Sequence, residues 1–159
     1  MKFNIRPAEA RDGAEVVAMA QELSAHESKP VRSFDETDFR RDGFGADPAF
    51  LVRIAEVAGQ SAGYALFHPT YDAEGGERGL YIHDLYVRPA YRDQGIGRAL
   101  LAAVCQAARD SGGSFVWWCM IDGNRKAEAF YGRHAVPLQD LRIWIADGEH
   151  FNRLVERAA

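Results

Sequence analysis

Apolar residues along the chain alternate between short strand-like stretches and longer ones in which they recur at helical spacing. KFNIR (2–6) reads as a first strand. Asp12, with Glu15 three residues on, reads as a capping box that opens a helix presenting Val16, Val17, Ala20 and Leu23. The stretch from Glu27 to Pro48 is polar and carries charges of both signs, as flexible or ligand-covering segments often do. Within it, SFDETDFRRDGFG predicts a short helix from about Asp35 that stops at Gly43. FLVRIAEV (50–57) and SAGYALFH (61–68), joined by Ala58, Gly59 and Gln60, predict a hairpin with a tight turn. SFVWWCM (114–120), rich in aromatic and β-branched residues, reads as a strand, Asn124 to Arg133 as a helix, and LRIWIA (141–146) as a last strand. A closing helix is expected from about Gly148.

The stretch from Leu80 to Leu101 carries the most information. In LYIHDLYV, Leu80 and Ile82 place apolar groups in one phase of a period-two pattern, and Leu85 and Val87 place them in the other. A strand changes phase only by inserting a residue, so a β-bulge is expected near His83 and Asp84. RPAYRDQGIGRALL then supplies Arg92, Gly95 and Gly97 around a helix start, and the helix from about Gly95 to Asp110 places Leu100, Leu101, Val104, Cys105 and Ala108 on one stripe. The N–H groups at such a start are unpaired and the helix macrodipole adds partial positive charge, which suits a pyrophosphate. The spacing R-x-x-G-x-G is neither the dinucleotide fingerprint G-x-G-x-x-G nor the P-loop, so those two cofactor classes are disfavoured.

Strand, helix, meander, then strand, helix, strand, helix gives an α/β arrangement with a mixed sheet. A length of 159 residues is that of a single domain, expected over 1–159, with no internal repeat. A hydrophobic fraction of 47% and a charged fraction of 26% are those of an ordinary globular protein. The net charge of −4 argues against nucleic-acid binding and favours a cationic substrate. No apolar run approaches the roughly 18–20 residues of a membrane span, and the N-terminus lacks the apolar core of a signal peptide, so a cytoplasmic protein is expected, without a membrane partner. Cys105 and Cys119 have no metal-ligand spacing and read as core packing; no metal site is expected.

After its bulged strand, the segment Arg92, Gly95, Gly97 resembles the acetyl-CoA-binding motif Q/R-x-x-G-x-G/A of the GNAT N-acetyltransferase superfamily. Nearly the whole chain is similar to the spermidine/spermine (diamine) acetyltransferases and their thialysine-acetylating relatives: IRPAEARD, RDGFGADP, TYD, LYIHDLYV, YRDQGIG and the N-x-x-x-x-x-F-Y of Asn124 to Tyr131 stand in that family's order. The resemblance implies the acetyltransferase fold, a mostly antiparallel mixed sheet in which the bulged strand and the next one splay apart around the pantetheine arm. It also implies acetyl-CoA as donor, with coenzyme A released, a small primary amine as acceptor, and a homodimer to which RIWIA contributes. Two departures stand out. The family has a glutamate where this chain has His83, and usually a glycine where it has Ala135. Ser28 to Val31 also differs, with no clear counterpart of an acidic residue used by the polyamine enzymes.

Carried over position by position, the resemblance assigns cofactor contacts to Leu85, Tyr86, Val87, Arg92, Asp93, Gln94, Gly95, Ile96, Gly97, Arg98, Asn124 and Tyr131. Acetyl transfer needs a neutral amine, yet an alkyl amine has a pKa near 10, so a base is required. His83, or a water it orders, is the candidate, with Asp84 beside it attracting the cation. A backbone N–H around Leu85 is expected to stabilise the oxyanion, and Tyr131 to protonate the departing thiolate. Glu27, Tyr71, Asp72, His83 and Asp84 are expected to line the substrate channel. Two alternatives stay open: another acceptor, such as an aminoglycoside-like amine or a protein lysine, and a non-catalytic acyl-CoA-binding module in which His83 and Tyr131 only pack.

Overall fold

The computed structural model describes residues 2–139 and 141–156. The chain forms two compact units that meet in sequence at Cys119 and Met120. The first holds a five-stranded sheet in the order β1 (Asn4–Pro7), β2 (Leu51–Val57), β3 (Gln60–Asp72), β4 (Glu77–Val87) and β5 (Gly113–Trp118). Neighbours from β1 to β4 are antiparallel and β5 joins β4 in parallel, so the fold is α/β with a mixed, mostly antiparallel sheet. The tight turn between β2 and β3 places Ala58 at φ 50° and Gly59 at φ 79°, the left-handed pair that a two-residue hairpin requires.

Helices cover both faces. Helix α3 (Ile96–Asp110) buries Ile96, Leu100, Leu101, Val104 and Ala108 on one face of the sheet, against Ala65, Phe67, Leu80 and Ile82. Helices α1 (Gly13–His26) and α2 (Glu36–Phe44) cover the other, where Val16, Met19, Leu23 and Phe39 meet Ile54, Tyr64, Leu66 and Tyr86. Helix α2 starts as expected: Asp35 accepts from the Thr37 and Asp38 N–H groups at 2.7 and 2.9 Å.

The start of α1 differs from the sequence reading. Asp12 makes no side-chain cap of α1; its carboxylate accepts from Arg6 at 2.7 and 2.8 Å and from the Glu9 N–H at 2.7 Å. The reciprocal box lies one turn earlier, between Glu9 and Asp12, and closes a 3-10 turn over Ala10–Asp12. The guanidinium on β1 and the Glu9 N–H hold the carboxylate in place of the N–H groups of the first turn of α1.

Both cysteines are exposed, against the expectation of core packing. Cys105 follows Val104 by one residue, about 100° round the helix, which carries it off the buried stripe. Cys119 lies just past β5, hydrogen-bonded to Tyr81, whose phenol is pushed up to about 12 by burial and by that bond.

In the second unit, α4 (Arg125–Tyr131) is capped by Asn124, whose Oδ1 accepts from the Ala127 N–H at 3.1 Å. The last strand expected over 141–146 is not formed: these residues have no regular secondary structure, and Ile143, Trp144 and Ile145 are exposed. Alternating apolar residues make a strand only when another strand accepts their backbone, and 141–146 pair with none among the described residues. Helix α5 (Gly148–Glu156) follows.

Candidate active site

The bulge sits at His83. Leu66 pairs with Asp84 while the next residue, Phe67, pairs with Ile82, which leaves His83 as the extra residue of β4. The side-chain phases follow from this insertion. Leu80 and Ile82 face α3, and so do Leu85 and Val87 beyond the bulge. Asp84 and Tyr86 turn toward α1, where Tyr86 packs with Tyr64 and Leu66. The His83 ring meets His68 at a tilt and Tyr81 edge-on, with ring centroids at 4.9 and 4.8 Å. His68, two residues on from Leu66, shares the α1 face. The bulge therefore brings two consecutive side chains, His83 and Asp84, to the same side of the sheet.

It also ends a pairing. β5 accompanies β4 from Arg78–Gly113 to Ile82–Trp118 and no further. Asp84 to Val87 pair with β3 on one side and with no strand among the described residues on the other. About 13 Å of strand edge is open there.

The glycine turn follows directly. A 3-10 turn over Pro89–Tyr91 leads to Arg92, whose Nε donates to the Val87 carbonyl at 2.9 Å and whose guanidinium lies 5.7 Å from the Tyr86 ring centroid. Asp93 at φ 60° and Gly95 at φ 85° are both left-handed, and they reverse the chain into α3. No atom lies within 4 Å of where a Gly95 Cβ would sit, so the glycine is required by its dihedral angle. No side chain caps α3, so the N–H groups of its first turn are unspent by the helix. Ile96 is buried beneath the turn, while Arg98 is exposed at the helix start.

A half-buried ion pair lies under the bulge. Asp84 accepts from Arg32 Nη1 at 2.5 Å, from Arg32 Nη2 at 3.1 Å and from the Tyr64 hydroxyl at 2.7 Å. Arg32 Nε donates to Ser24 Oγ at 2.7 Å, and the Gln21 side chain makes two 2.9 Å hydrogen bonds with the Arg32 backbone. Burial, then Asp84, raises the Tyr64 phenol well above its ordinary range. His83 is shifted below 6.5, chiefly by burial and then by His68 and Arg32, against the opposing pull of Asp84. A neutral imidazole at neutral pH is the result.

The remaining substrate candidates are dispersed. Glu27, at the end of α1, pairs with Lys29 at 2.8 Å. Tyr71 is exposed near the end of β3, and Asp72 closes a turn there by accepting from the Glu74 N–H at 2.9 Å. Asp72 stands six residues beyond Leu66, roughly 20 Å along the strand from the bulge. Asn124 and Tyr131 both belong to the second unit, where Asn124 is the cap of α4 and Tyr131 its last residue. Sequence reasoning missed Arg32, Ser24, Tyr64 and His68. Arg32 sits in an aperiodic polar stretch, and Tyr64 reads as ordinary core.

Among the described residues, no group of three or more His, Cys, Asp or Glu side chains is placed to hold a metal ion, and no helix is long and apolar enough to cross a membrane. Comparison with known proteins gives the family. The thialysine N-epsilon-acetyltransferase of Mus musculus is 35% identical over 96% of this chain and 97% of its own. The human spermidine/spermine N(1)-acetyltransferase-like protein 1 is 33% identical over 89% of this chain and 22% of its own. The crystal structure of a ribosomal-protein-alanine N-acetyltransferase from Brucella melitensis superposes with a TM-score of 0.74 at 20% identity, over 92% of this chain and 100% of that one, a likeness of fold alone. Because the acetyltransferase (GNAT) family model also matches residues 15–135, the chain belongs to the GNAT family and is an acetyl-transferring enzyme.

Proposed function

We propose that residues 1–159 act as one N-acetyltransferase domain that moves acetyl from acetyl-CoA directly to a primary amine of a small cationic molecule: a polyamine, a diamine or a lysine analogue such as thialysine. The observation that carries this reading is the bulge at His83, which opens the β4 edge directly before the glycine turn and sets an imidazole at the opening. The residues suit the donor: open N–H groups at the start of α3 match a pyrophosphate, and the edge from Leu85 to Val87 offers backbone partners to an amide-bearing arm. Arg92, Asp93, Gln94, Gly95, Ile96, Gly97 and Arg98 form the cradle, and the resemblance assigns Asn124 and Tyr131 of the second unit to the same cofactor. When bound, acetyl-CoA supplies a thioester carbonyl to the amine.

In the proposed mechanism a ring nitrogen of His83 takes the proton that the amine must lose as its nitrogen bonds to the acetyl carbon. The Leu85 N–H faces the negative charge that develops on the carbonyl oxygen. The departing thiolate needs a proton, a role the resemblance gives to Tyr131. Of the acidic and aromatic groups considered for a cationic acceptor, Glu27 holds Lys29, Asp84 holds Arg32, and Tyr71 and Asp72 stand at the far end of β3. The same reading places the enzyme in the cytoplasm as a homodimer, to which the exposed Ile143, Trp144 and Ile145 contribute.

The test is coenzyme A release, followed with a thiol reagent, from acetyl-CoA and a panel of spermidine, spermine, putrescine, thialysine, lysine and an aminoglycoside. Turnover on at least one aliphatic amine is expected. Tight acetyl-CoA binding with no turnover on any of them would contradict the reading.

A further inference from the structure

The charges on the α1 side of the bulge are already paired. Asp84 is buried and holds Arg32 through two N–H groups; Glu27 holds Lys29, and Glu22, which reaches Tyr86, holds Arg88. Arg32 is fixed from three directions: Ser24 Oγ on its Nε, the Gln21 side chain on its backbone, and Asp84 at its tip. The next residues are anchored as well, since the Phe34 ring packs edge-on against Phe39 and Phe50 with centroids at 6.5 and 5.9 Å. The guanidinium therefore stands preorganised on the one buried carboxylate beside the candidate base.

An acceptor's reacting nitrogen has to be neutral and needs no carboxylate, whereas a second ammonium in the same molecule does. With Arg32 in place that second charge finds Asp84 taken. To use Asp84 it must break both guanidinium contacts and leave Arg32, whose side chain is only 28% exposed, without its counter-ion. We infer that Arg32 is a specificity-determining residue: it occupies Asp84 as a built-in counter-cation and sets the site against acceptors that present a second ammonium within reach of that carboxylate. This deepens, and rests on, the reading of the enzyme as an amine acetyltransferase, and within that reading it disfavours short diamines. The groups that face Asp84 and His83 are Arg32, Tyr64 and His68, with Tyr81 edge-on to the imidazole and Glu27 acting on Arg32 and Tyr64 through its charge. Replacing Arg32 by a neutral residue leaves the Asp84 carboxylate with Tyr64 alone.

The decisive experiment compares n-butylamine with 1,4-diaminobutane, which differ only in the second amino group. KM for each is measured at saturating acetyl-CoA in the full chain and in Arg32→Gln. The ratio of KM for butylamine to KM for diaminobutane is expected to rise about tenfold or more in Arg32→Gln, within the range of coupling between close charges. Arg32→Lys retains the wild-type ratio, and adding Asp84→Asn to Arg32→Gln restores it. A purely structural role raises both KM values together, so an unchanged ratio overturns the inference. Should Arg32→Gln fail to fold, Ser24→Ala, which frees the Nε, must move the ratio in the same direction. Calorimetric titration of diaminobutane without acetyl-CoA gives a second readout: tighter binding to the variant is expected, and equal binding overturns the inference. If the wild-type chain acetylates neither amine, the functional reading fails, while the calorimetry still decides the role of Arg32.

Discussion

Deleting His83 is expected to leave the fold standing and abolish the chemistry. Without it, Leu66–Asp84 and Phe67–Ile82 become consecutive pairs of a regular antiparallel ladder. Ile82, Leu85 and Val87 still face α3, and Asp84 and Tyr86 still face α1. What is lost is a partly covered imidazole with its contacts to His68 and Tyr81 at 4.9 and 4.8 Å, each worth about 0.5–1.5 kcal/mol. The expected destabilisation is therefore about 1–3 kcal/mol. Deleting Leu85 removes the same number of residues but sends Tyr86, buried at 5% exposure, to the α3 face and Val87 to the other. Misplacing an aromatic core residue alone costs about 3–5 kcal/mol, a large part of the roughly 5–15 kcal/mol that holds a domain together. Urea unfolding separates the two: the His83 deletion should show one cooperative transition at a modestly lower midpoint, and the Leu85 deletion a far lower one or none. Coenzyme A release from the His83 deletion should fall by about a hundredfold or more, since it removes both the base and the opening of the strand edge. An unfolded His83 deletion would refute the assignment of the bulge, and a folded one with wild-type turnover would refute its role.

Further expectations concern His83 and Gly95. Because burial and the neighbouring His68 hold the His83 imidazole below 6.5, its proton NMR titration should have a midpoint under that value, and the acid limb of kcat/KM should follow it. The unfolded chain then binds the proton more readily, so the stability tied to His83 is fully present above 6.5 and is lost as pH falls through the folded value; His83→Gln should lack that component of the acid-side loss. A midpoint at or above 6.5 would refute this. Gly95→Ala should cost about 1–2 kcal/mol in urea unfolding, purely from φ 85°, because no atom contacts the new methyl group. Gly95→Asn should cost less, since Asn tolerates left-handed geometry and serves well at a helix N-cap; equal losses for the two would point to a steric cause instead.

Much of the site was legible because it is local. The phase change across LYIHDLYV can be accommodated only by an extra residue, and the register places that residue at His83. The α3 stripe and the hairpin turn at Ala58 and Gly59 likewise follow from spacing. What was illegible depends on partners distant in sequence. Asp12 fits a capping box with Glu15, but Arg6 on β1 takes its carboxylate. LRIWIA has strand patterning, yet a strand exists only through a neighbour's hydrogen bonds. Cys105 differs from the buried Val104 by a single step round the helix. Arg32 meets Asp84 across 52 positions of sequence, and nothing in RSFD announces it.

The central claim is that the open β4 edge beyond His83 and the first turn of α3 together receive acetyl-CoA. Residue-resolved amide hydrogen exchange, with and without acetyl-CoA, tests it most directly. Slower exchange is expected at amides of Leu85–Val87 and Ile96–Arg98, with β1 and β2 unchanged. Binding of acetyl-CoA that left those amides unprotected, or protected others in their place, would contradict the account.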